Sequence, residues 1–250
     1  SVTRVVLRNV YRSFSFWIDG VANGLGDNDD ISHMLSVRAG GSISIPCFYD
    51  PRYKNHVKYL CKGAGWYGCT YEVKTNQPST SGRFSISDDK KQRIFAVTIN
   101  DLTAADTDYW CILSVSTGKT PSYYGLLHTV LLLIVVFSQG LPSLYVDKQE
   151  VTGFKGGSVT VSCRSTFSGR MKWCRLGSIC VTESGSIDRT AVTISASIGN
   201  VVNVTMSDLR FESSGWYWCA KGNLQMPVHI TNDVSAIKEK YLPQRCPCLL

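Results

Sequence analysis

Asp108-Tyr109-Trp110-Cys111 and Trp216-Tyr217-Trp218-Cys219 decide the fold, because each closes the same four-cysteine frame. Ahead of the first, Ser42-Ile43-Ser44-Ile45-Pro46-Cys47 leads to Val57-Lys58-Tyr59-Leu60-Cys61 and then to Cys69. Ahead of the second, Ser158-Val159-Thr160-Val161-Ser162-Cys163 leads to Met171-Lys172-Trp173-Cys174 and then to Cys180. The outer cysteines lie 64 and 56 residues apart, the inner ones 8 and 6. Four cysteines in one order with the same neighbours, occurring twice, mark a duplicated domain.

The runs around these cysteines alternate polar with apolar residues, the period of a strand with one buried face. Phe95, Val97 and Ile99 share a face and are followed by Leu102; Val202, Val204 and Met206 repeat this, followed by Leu209. Gly, Asn, Asp and Ser separate the runs, and neither half has a long helical period. Each half is therefore predicted to be all-β, with two antiparallel sheets packed face to face. The 250 residues are enough for two such cores, and 44% apolar with 18% charged residues is a globular composition. Ten cysteines in pairable places argue for an oxidising, extracellular setting. A net charge of +7 without a dense basic block favours acidic partners and does not point to nucleic acid.

The doubled frame resembles the V-type immunoglobulin domains of the polymeric immunoglobulin receptor and the leukocyte mono-Ig-like receptors, the fish forms in particular. Gly82-Arg83-Phe84-Ser85-Ile86-Ser87-Asp88 is similar to that family's D-strand, and Leu209 through Gly215-Trp216-Tyr217-Trp218-Cys219 to its E–F corner and F-strand. The resemblance implies tandem V-type β-sandwiches, with intersheet disulfides Cys47–Cys111 and Cys163–Cys219. It also implies an extra C–C′ disulfide in each, Cys61–Cys69 and Cys174–Cys180. Tyr109 and Tyr217, two residues before the closing cysteines, fit a corner in which the hydroxyl bonds back to the backbone. Two departures from the family pattern predict a looser framework. The core tryptophan Trp173 is replaced by Leu60 in the first half. Arg83 can pair with Asp106, whereas Arg189 meets Ser213 at the matching place and has only Glu212 nearby.

The expected organisation is a leader or disordered segment at 1–31, a first domain at 32–137, a linker at 138–142, a second domain at 143–231 and a tail at 232–250. The apolar stretch 126–137 has three competing readings. It can be the G-strand of the first domain, a retained signal-peptide core ahead of Ser138-Gln139-Gly140, or a membrane span, for which its uninterrupted part is short. Cys246 and Cys248 fall outside the repeat.

No catalytic constellation, phosphate loop or dinucleotide fingerprint is present, and the cysteines lack metal-knuckle spacing, so neither enzyme nor cofactor nor metal site is expected. Recognition in such sandwiches uses loops at one end. In the first domain these bring forward Tyr49, Arg52, Tyr53 and Lys54 after the B-strand, and Lys119 and Tyr123 after the F-strand. Ser165 to Arg170 and Lys221 to Met226 hold the equivalent places in the second. Asn203-Val204-Thr205 is a glycosylation sequon on a predicted strand, with Asn203 on the solvent face. The expected function is an immune-receptor ectodomain, at the plasma-membrane surface or secreted. It binds a macromolecular ligand, either a protein such as immunoglobulin or an acidic glycan or lipid. It acts as a monomer, and any signalling runs through a tail or adaptor. The alternatives are a transport receptor for polymeric immunoglobulin without signalling, and a homophilic adhesion protein.

Overall fold

The computed structural model describes residues 32–63, 69–77, 82–113 and 130–233. The first half is built from β1 (Ser32–Arg38), β2 (Ile43–Phe48), β3 (Lys58–Lys62), β4 (Thr70–Lys74), β5 (Phe84–Asp89), β6 (Ile94–Ile99), β7 (Asp108–Leu113) and β8 (Val130–Phe137). The second half is β9 (Leu144–Val146), β10 (Glu150–Phe154), β11 (Ser158–Ser165), β12 (Lys172–Arg175), β13 (Cys180–Val181), β14 (Gly185–Ile187), β15 (Thr190–Ser197), β16 (Val201–Ser207), β17 (Gly215–Lys221) and β18 (Leu224–Asp233). The apolar run 130–137 is an edge-to-edge partner of two strands: β8 pairs antiparallel with β7 and parallel with β1. Among the described residues no helix is long and apolar enough to cross a membrane.

In each half a back sheet faces a front sheet. The back sheets run β2-β6-β5 and β14-β15-β16-β11-β9. Alternation decides which side chains meet between them. Ile43, Ile45 and Cys47 from β2, with Phe95, Val97 and Ile99 from β6, point inward and are almost fully buried; Val159, Val161 and Cys163 with Val204 and Met206 repeat the pattern. Disulfides Cys47–Cys111 and Cys163–Cys219 cross each core, and Cys61–Cys69 and Cys174–Cys180 tie the C-strand to its neighbour at the sheet edge. Closing loops of 64 and 56 residues, each intersheet bridge contributes on the order of 2–5 kcal/mol.

The two front sheets are continuous. Strand β1 lies between its own β8 and the second domain's β18, giving the order β13-β12-β17-β18-β1-β8-β7-β3-β4, with β10 also on β18. Side chains lock this seam. Ser36 Oγ donates to Leu144 O at 2.7 Å and accepts from Leu144 N at 2.9 Å. The Gln149 amide accepts from Ser44 N and donates to the carbonyls of Ser44 and Pro227. Trp216 stacks on His229, and both line a crevice of about 220 Å³ against Ser44, Ala96 and Thr98 of the first domain. Trp216 and His229 of the second front sheet thus face the outer side of the first domain's back sheet.

The framework of the second domain is tighter than its sequence suggests. Arg83 does pair with Asp106, at 2.6 Å. In the second domain Arg189 instead occupies a left-handed turn and makes no ion pair among the described residues, with Glu212 or otherwise. Its work passes to Arg175, one residue after Cys174. The Arg175 guanidinium lies over the Tyr217 ring, donates to Glu212 O, Ser214 O and Tyr217 Oη, and pairs with Asp188. Ser213, buried, bonds Thr190 and caps the turn at Arg210. An uncharged corner plus a relocated arginine replaces the missing acid.

Candidate functional site

The candidate site is the first loop of the first domain, between β2 and β3. Asp50 caps a single 3-10 turn, Pro51–Tyr53: its carboxylate accepts from Arg52 N, and Pro51 suits the first helical position because its missing N–H is not needed there. The turn orients its residues in opposite senses. Arg52, with 72% of its side chain exposed, and Lys54 face outward, while Tyr53 is 6% exposed and stacks edge-on against His56. Arg52 Nε also bonds Asp50 at 3.0 Å, which fixes the guanidinium while leaving its outer face open.

Beneath the loop lies a buried polar network that the cysteine pattern does not announce. Lys58 is completely buried; its Nζ donates to Lys54 O at 2.9 Å, pairs with Asp88 at 3.0 Å and sits 4.4 Å from the Tyr49 ring centre. Tyr49 Oη donates to the other Asp88 oxygen at 2.7 Å. Burial and then this bond to Asp88 push the Tyr49 hydroxyl well above its ordinary range. The network joins β2, the loop, β3 and β5, so the backbone at Lys54 is held from below. One signal was available in the sequence: Lys58 holds the repeat position of the buried Met171, and a lysine there must find a counter-charge.

Of the loop residues expected to touch ligand, Arg52 and Lys54 are at the surface. Tyr49 and Tyr53 are corrected to structural roles, with 1% and 6% exposure. The reason is alternation: Tyr49 follows Cys47 by two residues and so continues the inward face of β2. Lys119 and Tyr123 lie outside the described residues.

The corner beneath β7 also departs from expectation. Tyr217 Oη does bond back to the backbone, at Ser213 O, but Tyr109 Oη donates to the Asp106 carboxylate at 2.6 Å. Burial alone would raise the Asp106 pKa. Hydrogen bonds from Tyr109, from Thr103 N and Oγ1 and from Lys62 outweigh it and hold the carboxyl far below the usual range. Trp173 fills the second core and stacks on Tyr217 with centroids 5.2 Å apart, while Leu60 is as deeply buried in the first. Asn203 lies mid-strand on the outer face of the second back sheet, half-buried, accepting from Ser162 Oγ at 2.8 Å. Among the described residues no cluster could hold a metal ion.

Two disulfide-crossed β-sandwiches define an immunoglobulin-like fold. Residues 32–135 match the immunoglobulin V-set domain family. The mouse (Mus musculus) polymeric immunoglobulin receptor is 27% identical over 214 residues, covering 80% of this chain and 27% of that receptor. CMRF35-like molecule 3 of Mus musculus is 43% identical over 93 residues, covering 36% of this chain and 38% of its own. A crystal structure of the teleost fish polymeric Ig receptor ectodomain aligns with 29% identity, covering 82% of this chain and 98% of that one, with a TM-score of 0.37. Residues 32–135 thus carry an immunoglobulin V-set domain, and the chain is similar to polymeric immunoglobulin receptors and to CMRF35-like molecules. It spans only 27% of the length of the mouse polymeric receptor.

Proposed function

We propose that the chain is the ligand-binding part of an extracellular immune receptor, and that it grips a macromolecular ligand with the first loop of its first domain. The carrying observation is the division of labour in that loop. Arg52 and Lys54 are presented to solvent on a 3-10 turn that Asp50, Tyr53 and the buried Lys58–Asp88–Tyr49 network hold in place. A cationic loop that is already ordered loses little conformational freedom on binding, which leaves more of the contact energy for affinity. An acidic protein face suits it, and positive charge on both residues speeds encounter with such a partner.

The relatives named as polymeric immunoglobulin receptors favour polymeric immunoglobulin as the ligand. A CMRF35-like surface receptor that signals through a tail or adaptor is the second reading, favoured by the higher identity to CMRF35-like molecule 3. The test is capture of polymeric immunoglobulin by the immobilised chain, compared with Arg52→Ala/Lys54→Ala. Loss of two charge-assisted contacts weakens capture by about tenfold or more. Unchanged capture by the double variant sinks the loop assignment; no capture by the parent chain turns the choice toward the second reading.

A further inference from the structure

We propose that the loop end of the second domain holds a separate carboxylate-binding subsite, built on Lys221 and Ser165. Lys221 is the last residue of β17. It follows Cys219 by two positions and so points under the loop that follows β11, where it is 3% exposed. Its Nζ donates to Ser165 Oγ at 2.6 Å and sits 5.2 Å from the centre of the Phe167 ring. An ammonium has three N–H bonds to satisfy, and among the described residues no carboxylate lies within ion-pair distance of this one. Burial pushes its pKa down, as expected of a cation taken from water without a partner.

The first domain supplies the internal control. It too buries a lysine beneath the loop after its B-strand, next to Tyr49, the residue at the repeat position of Ser165. There the charge is answered by Asp88 at 3.0 Å. The repeat position of Lys221 itself is Leu113, which is as well buried, so the fold does not require a lysine there. An unanswered buried cation that folding does not need is what a site for an anion looks like in its empty state. A single lysine matches a single negative charge, which favours a carboxylate over a doubly charged phosphate.

The cover over the ammonium is thin. A Cβ on Gly222 would lie 4.0 Å from the half-buried Phe167 ring, and one on Gly169 would lie 3.5 Å from Lys221 Cε. Both glycines have positive φ, at 58° and 140°, and neither carries a side chain that would block approach. Turning the Phe167 ring aside uncovers Nζ. The Ser165 hydroxyl, which donates to Phe167 O at 3.0 Å, can then turn to donate to an incoming carboxylate. That carboxylate can belong to an acidic side chain of a protein or to a sialylated glycan.

The test titrates the full chain with a polyglutamate peptide and, separately, with sialyllactose, following the backbone amide shifts of Ser165, Phe167 and Gly222. One of the two probes is expected to bind, and which one identifies the source. Lys221→Met is expected to bind that probe about tenfold or more weakly and to melt no lower than the parent. Arg52→Ala/Lys54→Ala leaves this binding unchanged, which separates the subsite from the first-loop proposal. Binding of neither probe, binding by Lys221→Met equal to the parent, or a lowered Tm for that variant overturns the subsite.

Discussion

Replacing either partner of the buried Lys58–Asp88 pair should destabilise the first domain, but by unequal amounts. Lys58 has no exposed side-chain surface and Asp88 has 12%. Asp88→Ala leaves an ammonium in the interior with only Lys54 O to bond, and strands the Tyr49 hydroxyl as well. Breaking a buried pair from that side costs about 3–5 kcal/mol. Lys58→Met leaves Asp88 with the Tyr49 hydrogen bond and access to water at the rim, while methionine fits the site as Met171 does in the second domain. Its cost should be about 1.5–3 kcal/mol, the range of a lost hydrogen bond to a charged group. Urea unfolding with the disulfides intact, followed by hydrogen exchange on β2, β3 and β5, measures both. Exchange at Lys54 should also rise in Lys58→Met, since the Nζ bond to its carbonyl is gone. Equal costs, or a Lys58→Met variant less stable than Asp88→Ala, would refute the view that the buried ammonium is the demanding partner.

Three further outcomes follow from the packing. Asp106 has a folded pKa depressed below its ordinary 3.8, so its stabilisation is complete above about pH 4 and is lost as the pH falls toward the folded value; Asp106→Asn should flatten the acid limb of the stability curve. A Cβ on Gly153 would lie 2.4 Å from Leu209 and 2.7 Å from Val159, so Gly153→Ala should cost about 1–3 kcal/mol in a thermal melt. Material secreted from eukaryotic cells should carry glycan at Asn203, seen as a mass shift removed by Asn203→Gln. Its strand neighbours Ser162, Ser195 and Thr205 are polar and face the same side, which leaves room for a sugar.

Much of the sandwich was legible because cysteine order and strand alternation are local signals tied directly to burial. Ile43, Ile45 and Cys47 read as an inward face and form one. The same alternation, carried two residues past Cys47, would have placed Tyr49 inside; treating position 49 as loop concealed it. Charge partners were harder to read. The pairing of Arg83 with Asp106 follows a family pattern, but the substitution of Arg175 for Arg189 depends on which side of Tyr217 is open, which no spacing encodes. The seam was not legible either. Ser36, Ser44 and Gln149 are ordinary polar residues in sequence, and they matter only because β18 comes to lie beside β1. The Lys58 and Lys221 sites sit between these cases: each is a lysine at a repeat position where the other domain has an apolar residue.

The most direct test of the loop assignment is a hydrogen-exchange footprint of the full chain with and without polymeric immunoglobulin. Protection is expected at Asp50 to His56, centred on the turn that presents Arg52 and Lys54, with the outer back sheet around Asn203 unchanged. Protection confined to the second back sheet, with the first loop exchanging as fast as in the free chain, would contradict the account.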